Sequence, residues 1–286
     1  MDPRHLAHTL TPEESRRFER DGFLVVEEAI PEGLLQRLLA ACERIDREER
    51  ERQGKGPGER TNHLDFIGRD VIFLELLDWG KTFPKVWGIL GWHIQLYHTH
   101  MTVTPPEPAG RTLAEDGLGL GWHQDTGLLN QDLETEPRPR VSLKVGYFLT
   151  DTSEEGRGNF YVVPGSHLRN EFPGPDRNTR VDGAVAVRVA PGTAVFFDRR
   201  LWHSGSANYW HEARRVLFYG YSYRWLRPRD DMTVEHYLDR CDPIRKQLLG
   251  VSHSGGHGYT SPKPEDVPLR AWLEEHGAEA PVRSEA

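Results

Sequence analysis

The segment "GWHQDTG", Gly121 to Gly127, sets an imidazole, His123, two residues from a carboxylate, Asp125, between glycines. On an extended chain residues i and i+2 point the same way, so both side chains can reach one metal ion while Gln124 faces the opposite side. Two polar residues sharing a surface turn would give the same spacing, so a further ligand is needed to choose. One is offered in "GTAVFFDRRLWHSGSANYWHEARRVLFYGYSY", which runs as a turn, an apolar strand, a loop bearing His203, and an aromatic-rich strand opening with Arg214-Arg215.

Two histidines and one carboxylate on a β-scaffold are the facial triad of non-haem Fe(II) oxygenases, which leaves metal positions open for a cosubstrate and O2. A cosubstrate such as 2-oxoglutarate would chelate through its keto acid end. Its far carboxylate would then need a cation at fixed depth, and arginine suits that task because its planar guanidinium stays charged and can pair with both oxygens.

The elements that must hold these residues can be read from periodicity and punctuation. Thr11-Pro12-Glu13-Glu14 predicts a helix N-terminus with a capping box, running to about Arg20. Phe23 to Val26 predicts a strand, and after Pro31 the apolar spacing Leu34, Leu35, Leu38, Leu39, Cys42, Ile45 predicts a helix with a charged end through Arg52. Gln53 to Arg60, "QGKGPGER", has the glycine and proline content of a mobile loop, and two short helices ending in glycine follow it.

From His93 the texture becomes strand-like. "HIQLYHTHMTV" would place Ile94, Leu96, His98, His100 and Thr102 on one face if extended throughout, and Val141 to Leu149, Phe160 to Val163, Val185 to Val189, Thr193 to Phe197 and Val216 to Tyr223 are further strands. Many strands joined by irregular loops predict antiparallel pairing. The expected fold class is mainly β with flanking helices around a double-stranded β-helix (jelly roll, cupin-like) core. One domain over 1–286 is expected, with a helical N-terminal part at about 1–92, the core at about 93–226, and a C-terminal arm at 227–286 that ends in a short helix near Leu269 to His276.

Composition excludes other classes. A net charge of -8 leaves no electrostatic footprint for nucleic acid or an anionic membrane. No apolar run approaches a membrane span, the N-terminus lacks a signal pattern, and a cytoplasmic location is expected. With two cysteines, neither a disulfide framework nor a Cys-rich zinc site is available, so any metal must be held by carboxylates and the fourteen histidines.

The chain resembles the phytanoyl-CoA dioxygenase (PhyH) family of Fe(II)/2-oxoglutarate-dependent oxygenases. The resemblance runs from about Leu10 to Leu226 and is carried by "LTPEESRRFERDGFLVVEEAI", "WHQD", "GNFYVVPGSH" and "AVFFDRRLWHSGSAN", followed by Arg214, in family order. It implies His123, Asp125 and His203 as catalytic iron ligands, with Arg214 on the distal carboxylate of 2-oxoglutarate. Fe(II), 2-oxoglutarate and O2 are the implied cofactor and cosubstrates. The family often has a serine two residues after the distal histidine; here that position is Gly205, which leaves open what assists Arg214.

Other residues carry two readings each. Thr102, His100 and Lys144 are candidates for the cosubstrate site; His98 and His100 are read as hydrogen-bonded barrel residues in preference to extra metal ligands, and Lys144 is also readable as a lysine snorkelling outward. Trp122, Gln124, Tyr161 and Trp202 are candidate substrate contacts, with core packing the alternative for the aromatic ones. His167 is read as stabilising its turn, and Arg215, facing away from Arg214, as forming a surface salt bridge. Together with Arg199, Arg200 and Lys144, the aromatic residues suggest a polar small-molecule substrate.

The expected reaction is oxidation, by default hydroxylation, coupled to decarboxylation of 2-oxoglutarate to succinate and CO2. Oxidative cyclisation, desaturation or epoxidation use the same ligand set, whereas the carboxylate ligand argues against halogenation. A non-catalytic jelly-roll metal-binding or sensing protein is the alternative from another class, although the arginine would then have no role. A hydrolase would need a nucleophile or base beside the metal, and no residue nominates itself.

Overall fold

The structure is a computed structural model, and it describes residues 1–278. The last part of the expected C-terminal arm, 279–286, lies outside the described residues. Helix α1 (Pro12–Asp21) begins in the expected capping box, with Thr11 Oγ1 accepting from Glu14 N and Glu14 Oε2 accepting from Thr11 N. Gly22 ends it at φ +80°, where a Cβ would lie 2.5 Å from His167 Nδ1, so this position needs glycine for both backbone and space.

The strands are β1 (Phe23–Val26), β2 (Thr61–Leu64), β3 (Ile94–Thr104), β4 (Ser142–Phe148), β5 (Phe160–Val162), β6 (Val185–Val187), β7 (Thr193–Asp198), β8 (His203–Gly205) and β9 (Arg214–Tyr223). Among the described residues they form a six-stranded sheet, β1-β7-β4-β9-β3-β2, and a three-stranded sheet, β6-β5-β8, with every pairing antiparallel. This is the expected jelly roll. The N-terminal part, expected to be mainly helical, also supplies both edge strands of the large sheet, β1 and β2. β2 lies just past the expected loop, where the sequence assigns no element because four residues are too few to show periodicity.

Alternation along the strands sorts the side chains into three cores. Leu143, Val145, Tyr147, Leu217, Tyr219 and Tyr221 face the helices, where they meet Leu38, Cys42 and Ile45 of α2 (Glu32–Gln53). Each fully buried aliphatic side chain there contributes about 2 kcal/mol. Phe148, Phe197, Val216 and Phe218 face inward toward Phe160 and Val162 of the small sheet. A third cluster, Trp122, Tyr161, Val163 and Trp202, includes the opposite face of β5.

β3 departs from simple alternation. Leu96 pairs with Tyr221 and His98 with Gly220, so Tyr97 is an inserted residue. The bulge turns the strand over: Ile94 and Leu96 join Met101 and Val103 in the helix-facing core, whereas His98, His100 and Thr102 share the inner face. The expectation of all five residues on one face fails for this reason.

The C-terminal arm is tied back to the sheet. Asp230 accepts from Thr99 Oγ1 at 3.0 Å and pairs with His98 Nδ1 at 2.7 Å, and Arg224 donates to the carbonyls of Gln247 and Val251. Among the described residues no helix is long and apolar enough to cross a membrane.

Candidate active site

His123 stands in an isolated bridge to His203, each backbone N–H donating to the other's carbonyl at 3.1 and 3.0 Å. This long-range pair extends the small sheet and brings the two imidazoles to 4.4 Å between ring centroids. Asp125 is held by its own backbone, its N–H donating to Arg199 O at 2.9 Å and its carbonyl accepting from Asn130 Nδ2 at 2.9 Å. Ligand atoms of His123, Asp125 and His203 all lie within 4.8 Å of one another, the one such group of His, Cys, Asp or Glu found among the described residues.

The donor set fits a divalent metal. His123 Nδ1 lies 2.9 Å from Gly121 O and His203 Nδ1 lies 2.8 Å from Leu201 O, contacts that place the proton on Nδ1 and leave both Nε2 lone pairs for an ion. Burial, with His123 close by, pushes His203 down to about 3, so it stays neutral. Asp125 is opposed by burial, but Lys144 and the two imidazoles outweigh that and hold it well below the usual carboxylate range. Its Oδ2 is buried without a partner, an orphaned acceptor that a cation would satisfy.

A narrow cavity of about 70 Å³ adjoins these ligands. Larger surface clefts, of about 610 and 770 Å³, lie elsewhere, and the metal-ligand cluster is not part of them. The cavity is bounded by His123 and His203, by Phe160, Phe197 and Phe218, and by the polar residues His100, Thr102, Lys144, Arg60 and Arg214. At one end Lys144 Nζ donates to Asp125 Oδ1 at 2.8 Å, so the lysine points inward and does not snorkel. At the other, Arg214 is 3% exposed and no carboxylate among the described residues pairs with it; burial, with Arg60 facing it, pushes it down to about 9. A buried cation without a counter-ion is costly, and an anionic ligand would remove that cost.

His100 lies between Phe218, 4.5 Å away ring to ring, and His98, 4.9 Å away, with its Nδ1 3.0 Å from His98 Nε2. Burial lowers its pKa well below the ordinary histidine value. Since Asp230 holds His98 Nδ1–H, His98 Nε2 accepts from His100, whose own Nε2 is left as an acceptor.

Other expected contacts lie elsewhere. Trp122, Tyr161 and Trp202 sit in the third core and do not line the cavity, Trp122 Nε1 donating to Thr179 O at 2.8 Å and Tyr161 Oη to Glu155. The i+2 rule explains this, because each neighbours an inward residue and faces the other way. Gln124 donates to the carbonyls of Arg169 and Arg200. Arg199 and Arg200 are buried and occupied, the former by Thr126, Asn130 and Pro139 O, the latter by Asp198 and Arg138 O, so neither is free for substrate. Arg215 faces outward to Glu43 at 3.4 Å. His167 packs against α1, its Nε2 3.1 Å from Glu19 O. Arg60 was not visible in the sequence as a site residue, because it ends a segment that reads as a loop.

A jelly roll whose inner face joins two histidines and a carboxylate to a deep, unpaired arginine defines a metal-dependent oxygenase of the 2-oxoglutarate class. The phytanoyl-CoA dioxygenase (PhyH) family model matches residues 18–216, more than half of the chain, and the chain belongs to that family. It is an Fe(II)/2-oxoglutarate-dependent dioxygenase. No curated protein matches it by sequence.

Solved structures similar in fold include HygX from Streptomyces hygroscopicus with nickel and 2-oxoglutarate bound, at 18% identity and TM-score 0.60 over 77% of this chain and 90% of that one. The non-heme alpha ketoglutarate dependent carbocyclase SnoK from nogalamycin biosynthesis matches at 24% identity and TM-score 0.56, covering 83% of this chain and 93% of that one. EctD from S. alaskensis with 2-oxoglutarate and 5-hydroxyectoine matches at 17% identity and TM-score 0.56, covering 78% and 81%.

Proposed function

We propose that this enzyme hydroxylates a polar small molecule, with iron held by His123 Nε2, His203 Nε2 and Asp125 Oδ2 and the distal carboxylate of 2-oxoglutarate held by Arg214. The carrying observation is that an orphaned carboxylate oxygen, grouped with the two imidazoles that bound the cavity, occurs together with a buried guanidinium in the cavity lining that no carboxylate among the described residues pairs with. When bound, the iron supplies oxygen activation coupled to conversion of 2-oxoglutarate to succinate and CO2.

The chain's own residues do the rest. The Nδ1 contacts to Gly121 and Leu201 fix the imidazole orientations, and Lys144 occupies Asp125 Oδ1 so that Oδ2 is the free oxygen. Phe160, Phe197 and Phe218 exclude water along the cavity. Asp125 fills the position that a halide would need, which favours hydroxylation over halogenation. The polar lining from His100, Thr102 and Lys144 favours a polar substrate.

The test is an anaerobic titration of apo-protein with Fe(II) and then 2-oxoglutarate, following the visible charge-transfer band of the chelate. A saturable band supports the reading, and succinate release then screens substrates. No band, with tight zinc binding instead, would favour a metal-binding protein without turnover.

A further inference from the structure

Two cations, not one, face the cosubstrate end of the cavity. Arg60 lies just before β2, at the end of the glycine-rich segment that follows α2, and its guanidinium lines the cavity although the residue as a whole is solvent-exposed. Desolvation lowers its pKa and no acidic group offsets that. The two guanidinium groups repel each other. Between them lies Gly205: a Cβ there would stand 3.8 Å from Arg60 Nη2 and 3.9 Å from Arg214 Nη1. Two arginines that converge on one point, with no carboxylate among the described residues to separate them, make a built anion site.

We propose that Arg60 is a second anchor for the distal carboxylate of 2-oxoglutarate, reaching across the space that Gly205 leaves open. The inference rests on the assignment of Arg214 to that carboxylate. It also accounts for glycine at a position where the family often has serine: a hydroxymethyl group would project into the gap between the guanidinium groups, whereas hydrogen leaves that gap for the carboxylate. Arg60 is a positioning residue. It lies away from Asp125 and Lys144, because Lys144 pairs with Gly220 and Arg214 stands six residues back along β9, where Arg60 joins it at the start of β2.

The experiment uses the full chain loaded anaerobically with Fe(II) and measures dissociation constants for two acids by the chelate band and by calorimetry. One is 2-oxoglutarate. The other is 2-oxobutyrate, which keeps the chelating end and lacks a distal carboxylate. In Arg60→Ala, affinity for 2-oxoglutarate should fall about tenfold, the size of one partly exposed charged hydrogen bond, while 2-oxobutyrate binding stays within about twofold. Arg60→Lys should recover part of the loss. Unchanged 2-oxoglutarate affinity in Arg60→Ala, or an equal loss for both acids, overturns the proposal. Failure of the wild type to bind 2-oxoglutarate at all would instead overturn the Arg214 assignment on which it rests.

Discussion

Lys144 Nζ and Asp125 Oδ1 form a buried ion pair of 2.8 Å beside the metal-ligand cluster, with Asp125 Oδ2 left unpaired. The lysine reaches this carboxylate from β4, nineteen residues further along the chain, because β4 turns Ser142, Lys144, Gly146 and Phe148 inward. Lys144→Met would leave a buried carboxylate without its cation. Apo-protein stability is expected to fall by about 3 kcal/mol, and saturating Mn(II) to narrow the gap because the ion takes over as counter-charge. Denaturant titrations with and without metal check this; a gap that metal does not change would refute it.

His203→Ala and Asp125→Ala should each abolish detectable metal binding and substrate oxidation. Both side chains sit at the end of preformed backbone, so far-ultraviolet circular dichroism should be retained. Full oxidation in His203→Ala would sink the ligand assignment.

Arg214→Ala removes the buried guanidinium at the far end of the cavity. The KM for 2-oxoglutarate should rise roughly a hundredfold, the equivalent of about 3 kcal/mol for a desolvated charged contact, with kcat much less affected. Steady-state succinate release at varied 2-oxoglutarate measures both. A fall in kcat with KM unchanged would place Arg214 outside the cosubstrate site.

Acid stability should report on Asp198, which is fully buried at the end of β7. Burial raises its pKa, but ion pairs to Arg200 and Arg140, both at 2.7 Å, outweigh that and set it at about 2. Since the folded value lies below the ordinary 3.8, the carboxylate contributes about 2 kcal/mol that is complete above pH 4 and lost as pH falls through 2. Asp198→Asn should be less stable than wild type at pH 7, and the difference should shrink below pH 4. A constant difference down to pH 2 would show that the ion pairs do not supply the stability.

The jelly roll is legible because many strand-like segments after His93 are joined by irregular loops with turn residues and no regular helices between them, and α1, β1 and α2 are legible because a capping box, a β-branched run and a 3.6-residue period are local signals. Alternation puts His100 and Thr102 on one face, and the structure has both lining the cavity with Lys144, whose direction the sequence leaves open. For Trp122, Tyr161 and Trp202 the sequence leaves substrate contact and core packing both open, because aromatic content near a motif says nothing about which face of the strand carries it, and the structure places them in the third core. The bulge at Tyr97 was invisible, since it depends on the register of β9 against β3 and not on any property of "HIQLYHTHMTV".

What the sequence alone determined is therefore what acts over a few residues: the i, i+2 presentation of His123 and Asp125, the opposite facing of Arg214 and Arg215, and the helix cap at Thr11. The tertiary structure alone decided what depends on pairing between distant segments. His123 meets His203 through backbone hydrogen bonds across eighty residues, Lys144 finds Asp125, and Arg60 is delivered beside Arg214 by an edge strand too short to announce itself. The physical reason is that strand register and edge recruitment are set by hydrogen bonds to a partner, and one chain segment carries no record of which partner it will meet.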